Sequence, residues 1–414
     1  SSTLVITAKG AVIITDSNNI GSAAVETTTG NITVGGTDFD ATTTGSFTTL
    51  NGDVTITNAD DLVTSLTISA TGDADANVTG ADGDVTVTTA DAALIADITA
   101  SGGIDVDGLE AAKTITLSAG QASTLDGVAA VETLNLASTS TSSSALTYTV
   151  GTGSDELNAI KNINFTGSND VTLVVDMSDL NAAKAANSAA VIATDSSSAT
   201  SRIRIMEDIA ATAVDATALA VDEIELGADN TITGSITLAS GANLVIGADQ
   251  TALILTAAAV AGNTLTITVD DDSSSTDTNS YDVAALTTSN FSTVNMVLND
   301  TEEAVAMDTI NVNAANDVVV TGAGDLTVGT SVTAKTFDAS GSTGIMTIDM
   351  LNTVSTVYKT GSGDDIFNAS TTAGALTVDG GGGVDTVVFA VGADDWSAQT
   401  VSFTNIEKLD VTAV

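Results

Sequence analysis

The strongest constraint on this chain is a recurrence. Short strand kernels of the form apolar–Thr–apolar return as Ile32-Thr33-Val34, Val54-Thr55-Ile56, Leu66-Thr67-Ile68, Val85-Thr86-Val87 and Ile115-Thr116-Leu117. Ile104-Asp105-Val106 and Leu134-Asn135-Leu136 are variants of the same kernel. Each alternates with period two and is bounded by Gly, Asn or Asp, as a half-buried strand between turns should be. Successive kernels lie mostly about 11–13 or about 19–22 residues apart, a coil of roughly 20 residues in which not every side is strongly marked. Such a coil cannot bury its apolar face alone, and stacked neighbours complete the core. The expected fold is therefore all-β, a β-solenoid of the parallel β-helix or β-roll kind. The chain has no proline, where average usage would give about 20. Proline cannot donate to a continuous ladder, so its absence agrees. An antiparallel sandwich is the competing fold, but Asn-Gly hairpin signals are scarce, Asn51-Gly52 being the only clear one.

The middle breaks the pattern. Ser178–Ala193 reads as a short helix with Ser178 as its N-cap, and the Ala-rich Met206–Ala220 also reads as helical. This divides the chain into an N-terminal solenoid unit at 1–177, a partly helical junction at 178–222, and a C-terminal solenoid unit at 223–414. Asp270–Asp282 reads as a solvated acidic loop. No run of about 18 apolar residues occurs, so no membrane span is expected.

Composition excludes several classes of function. With no His and no Cys, the commonest general base and the thiolate zinc sites are unavailable. The formal charge of −44, from 53 acidic and 9 basic residues, argues against nucleic acid as a partner. One Trp, three Tyr and eight Phe leave few platforms for stacking bases or sugars. Yet 43% hydrophobic residues and a mean hydropathy of +0.31 are too apolar for a disordered acidic tail. What remains is a surface rich in hydroxyls, amides and carboxylates, suited to divalent cations.

The residues that carry chemistry lie near the C-terminus. Gly380–Val388 reads GGGGVDTVV and fits the calcium-binding nonapeptide G-G-x-G-x-D-x-U-x at every fixed position; Thr360–Asn368, TGSGDDIFN, departs only at its first. Glycines permit the tight backbone that aims carbonyl oxygens inward, and the aspartate adds a hard anionic oxygen. The candidate ligand set is Gly361, Gly363 and Asp365 in one turn and Gly381, Gly383 and Asp385 in the next, flanked by Asp364 and Asp379. Asp365 and Asp385 lie 20 residues apart, close to the roughly 18 of two nonapeptides in one coil, so their turns should stack with an ion between them. A weaker copy, VGTGSDELN at 150–158, places Gly151, Gly153 and Asp155 in register. The competing reading of each is a plain Gly/Asp turn satisfied by its own hydrogen bonds. Asp73-Ala74-Asp75-Ala76-Asn77 begins like an EF-hand loop, but Val78 stands where the loop needs glycine, leaving at most an acidic calcium-binding loop. T-x-T triplets such as Thr86-Val87-Thr88 lack the strict period of an ice-binding face, and Trp396 reads as a core plug.

On these patterns the chain resembles the RTX-type surface-layer proteins of Gram-negative bacteria. The resemblance rests on the glycine turn running into a strand, GGGGVDTVVFA at 380–390. About 20 residues on comes an apolar strand around Ile406-Glu407, echoed at Val131-Glu132-Thr133-Leu134. It covers 318–414, including VVVTGAGDLTVGTSVTAKTFDASGSTG at 318–344; elsewhere the match is one of style. It implies a type I secreted, extracellular structural protein whose solenoid is ordered by calcium and self-associates into a two-dimensional lattice on the cell surface. The tandem nonapeptide arrays of such proteins are missing. The chain begins with Ser1 rather than Met, so it is expected to be a processed form or part of a longer protein. Attachment, to a cell-surface polysaccharide for instance, would then use a region outside this sequence. The alternatives are an RTX-like adhesin and, less favoured for want of cations and aromatics, a β-helical polysaccharide lyase or hydrolase. No enzymatic activity is expected.

Overall fold

The structure, a computed structural model, describes all residues except 1, 16–19, 36–43, 50–53, 57–64, 71–75, 82–83, 89–94, 108, 110–111, 141–144, 152–155, 188–190, 207–213, 228–229, 232–234, 258–261, 270–282, 300–303, 351–356, 370–374, 392–399 and 414. Asn51-Gly52, Asp73–Asp75, the whole of Asp270–Asp282 and Trp396 thus lie outside the described residues.

The chain is a β-solenoid, organised in two units: Ser1–Arg204 with Ala218–Asp222, and Ile205–Thr217 with Glu223–Val414. In the first, the backbone alternates between two parallel sheets. One holds ten strands, running from Val12–Thr15 and Ile32–Gly35 through Ile95–Ala100, Thr114–Ala119, Thr133–Ser138 and Asn162–Thr166 to Ile192–Asp195 and Leu219–Ala220. The other stacks the intervening strands, among them Ser2–Ala8, Ile20–Thr27, Ile104–Asp107, Ser123–Asp126, Leu146–Val150 and Val171–Val175. Parallel neighbours one coil apart are what a solenoid requires, and the kernels are its rungs.

Period two explains the layering. Thr133–Ser138 alternates half-buried and buried residues, and its register with the flanking coils lines up like with like. Inward, Ile98, Leu117, Leu136 and Phe165 form one continuous column, each fully buried. Burying side chains of this size stabilises the fold by about 1.5–3 kcal/mol each. Outward, the polar residues between them join in a ladder. Asn135 Nδ2 donates to Thr116 Oγ1 (3.0 Å), Asn164 Nδ2 to Asn135 Oδ1 (2.8 Å), and Thr194 Oγ1 to Asn164 Oδ1 (2.6 Å). The steps along this ladder are 19, 29 and 30 residues, so coils lengthen by loop insertion without losing register.

In the second unit Ala242–Ile246, Thr264–Val269 and Thr293–Leu298 form one parallel ladder, while Ile236–Leu238, Gln250–Ala257 and Ala285–Ser289 form another. Strands Val305–Gly322 and Leu326–Ser342 run through both, turning a corner near Asn313 (φ 77°). Beyond them Met346–Met350, Ile366–Ala369, Thr386–Val391 and Lys408–Ala413 continue the ladder begun by the leading segments of those two strands, 305–307 and 326–328. Val357–Lys359, Leu376–Asp379 and Val401–Thr404 continue that of Thr293–Leu298.

The expected helix is present but starts earlier and ends sooner, at Met177–Asn187, and Ile192–Asp195 is a strand. The helical reading of Met206–Ala220 is overturned over 214–220, 207–213 lying outside the described residues. Its described part holds strands Val214–Asp215 and Leu219–Ala220, paired in register with Ile236–Thr237 and Ala193–Thr194. Alanine favours a helix by only tenths of a kcal/mol per residue, and ladder pairing outweighs it. Among the described residues no helix is long and apolar enough to cross a membrane.

Candidate metal centre

The candidate ligands sit at one corner of the second unit, where successive coils turn from one ladder into the other. The corners stack directly on one another: Thr343 N–H donates to Gly322 O (2.9 Å), Ser362 N–H to Ser342 O (3.2 Å) and Gly382 N–H to Gly361 O (2.8 Å). Backbone lies against backbone. A Cβ on Gly363 would strike Gly344 O at 2.5 Å, and one on Gly361 would collide with the Ser342 carbonyl. At Gly381 (φ 81°) and Gly383 (φ 116°) the backbone is also left-handed, so these two are glycine for conformation as well as for space.

This close stacking arranges the carboxylates. Asp365 and Asp385 are both fully buried. Asp365 Oδ1 accepts the N–H of Met346 in the coil before it (2.7 Å), and Asp385 Oδ1 accepts that of Asp365 (2.9 Å). Glu407 Oε2 accepts that of Asp385 (2.9 Å). Each acid thus closes the amide of the preceding coil, and of the two aspartates the second oxygens, Asp365 Oδ2 and Asp385 Oδ2, are buried without a hydrogen-bond partner. A buried acceptor left unpaired costs about 1–3 kcal/mol, more when charged, so these two oxygens call for a proton or a cation. Burial pushes the Asp365 carboxyl up to about 6, opposed by the Met346 N–H and the nearby Thr360 hydroxyl, with the charges of Asp385 and Asp364 adding to the rise. Asp385 is raised for the same first reason, with Glu407, Asp364 and Asp379 as negative neighbours.

The flanking acids face elsewhere. Asp364 is exposed and its Oδ1 accepts the N–H of Val384 (2.7 Å). Asp379 Oδ1 accepts from Gly381 N–H (3.3 Å) and Asn405 Nδ2 (2.8 Å). Among the described residues no three acidic side chains form a metal-holding group. Any ion at this corner would therefore draw on Asp365, Asp385 and the corner carbonyls rather than on a ring of four aspartates. Of the third copy, Gly151 lies against the Asp126 carboxylate, while Gly153 and Asp155 fall outside the described residues.

No protein-family model, curated protein or solved structure matches this chain. The site is thus to be understood from its own atoms. Three contributors were not singled out by sequence. Glu407 extends the acid column by one coil; Thr360 Oγ1 donates to Gly380 O (2.9 Å) and ties the two glycine turns together. The earlier corner Gly322–Asp325 belongs to the same stack, with Asp325 Oδ1 accepting Ile345 N–H (2.6 Å). Its signal was legible in TGAGD at 321–325, a glycine pair followed by aspartate.

Proposed function

We propose that this chain is a structural surface-layer protein: an extracellular solenoid that binds calcium at the Asp365 and Asp385 corners and self-associates into a lattice on the cell surface. The observation that carries it is the pair of buried, unpartnered oxygens, Asp365 Oδ2 and Asp385 Oδ2, on stacked glycine turns. Calcium suits them because it takes oxygen ligands alone, and corner carbonyls can complete six to eight. The formal charge of −44 supports the link to assembly, since side-by-side packing of such chains is repulsive until divalent ions bridge carboxylates.

Electron microscopy of the purified chain, with millimolar calcium and with excess EGTA, tests this reading. Ordered sheets are expected with calcium and dispersed particles with the chelator, and Asp365→Asn with Asp385→Asn should abolish the sheets. Sheets that persist in EGTA, or a chain that stays dispersed at every calcium concentration, would sink it.

A further inference from the structure

The first unit repeats the acid column away from the glycine-turn stack. Glu156 Oε2 accepts the N–H groups of Gly127 (2.7 Å) and Val128 (3.3 Å), one coil earlier. One coil later, Asp179 Oδ1 accepts the N–H of Glu156 (3.1 Å). The sense is the same as along Met346, Asp365, Asp385 and Glu407: a later acid closes an earlier amide. Asp179 lies in the first turn of helix Met177–Asn187, and it is fully buried.

Two orphan oxygens belong to these adjoining turns. Asp179 Oδ2 is buried with no hydrogen-bond partner, and so is Asn158 Oδ1, in the 156–159 turn whose leading amide docks on Asp179. Both are acceptors, and a hydrogen bond between them is impossible while Asp179 is ionised. Asp176 and Glu156 add negative charge beside Asp179. Two buried oxygens, one anionic, in a field of further carboxylates define a site for a positive ion. With only oxygen donors at the corner, the ion is a hard one.

We infer that Asp179 and Asn158 hold a divalent cation of calcium's class at the corner between strand Val171–Val175 and helix Met177–Asn187. The site lies within the first unit and stands independently of the surface-layer reading.

Calcium binding to the full chain, measured by equilibrium dialysis at physiological ionic strength, tests it. The background is Asp365→Asn with Asp385→Asn, so that the glycine-turn corner contributes nothing. This double variant should retain a bound calcium ion that is lost on adding Asp179→Asn. Asn158→Asp in the same background supplies a second anionic oxygen and should tighten binding on the order of tenfold. This gain keeps the inference testable should Asp179→Asn fail to fold. Calcium stoichiometry unchanged by Asp179→Asn, or affinity unchanged by Asn158→Asp, overturns the inference; so does Asp179→Asn stabilising the chain without altering calcium uptake, which would mean that a proton fills the corner. Failure of the surface-layer reading would instead appear as equal calcium uptake by the wild-type chain and the double variant.

Discussion

Asp365 is a carboxylate in a place that favours its neutral form. Its folded value of about 6 stands above the ordinary 3.8 because burial disfavours the charge, so the native state of the calcium-free protein binds more protons than the unfolded chain between those limits. The sign follows. The group's contribution is most favourable below pH 3.8 and declines as pH rises toward 6, with Asp364 and Asp385 as its charged neighbours. Urea midpoints of calcium-free protein should therefore fall between pH 4 and 6.5, and Asp365→Asn should flatten part of that fall. An unchanged slope in the variant would show that Asp365 does not titrate there. Calcium bound at this corner would reverse the preference, because it takes the ionised form.

The strands were legible throughout and the corners only in part, for a physical reason. A strand such as Thr133–Ser138 declares itself through side chains that alternate between core and solvent. Truncating one of the inward residues tests that layer: Leu136→Ala should cost about 2–5 kcal/mol, seen as a lowered denaturation midpoint, because Leu117 and Phe165 above and below cannot both close the gap. A loss under about 1 kcal/mol would mean that the column is not packed as described. The corners depend on what lies one coil away, which no local pattern encodes. Gly361 is glycine because of the Ser342 carbonyl, and Glu407 belongs to the acid column because of the Asp385 amide. Neither partner is near in sequence. The two glycine turns were found because their own spacing is regular; Asp179 was hidden because its partner, Glu156, lies in a coil with a 23-residue step. Alanine-rich 206–220 misled in the opposite direction, since its helical signal was local and the pairing that overrode it was not.

At the scale of the molecule the charge dominates. A chain at −44 opposes its own compaction, and monovalent salt screens that repulsion over distances beyond about 8–10 Å. Melting of the calcium-free protein should therefore move upward with sodium chloride, by several degrees between about 10 and 300 mM. A melting temperature indifferent to salt would show that the carboxylates are too dispersed to repel. Ion pairs such as Lys161–Glu132 (2.6 Å) and Lys359–Asp338 (3.5 Å) do not change this: they lie at the surface, where such pairs contribute about 0–1 kcal/mol.

The acid columns also give the molecule a direction in time. The amide of Met346 waits for Asp365, that of Asp365 for Asp385, and that of Asp385 for Glu407; in the other unit Gly127 waits for Glu156, and Glu156 for Asp179. A chain entering its folding environment from the N-terminus therefore cannot finish a corner until roughly one further coil has arrived. A growing solenoid carries an open amide at its front, and each new coil seals the one before it.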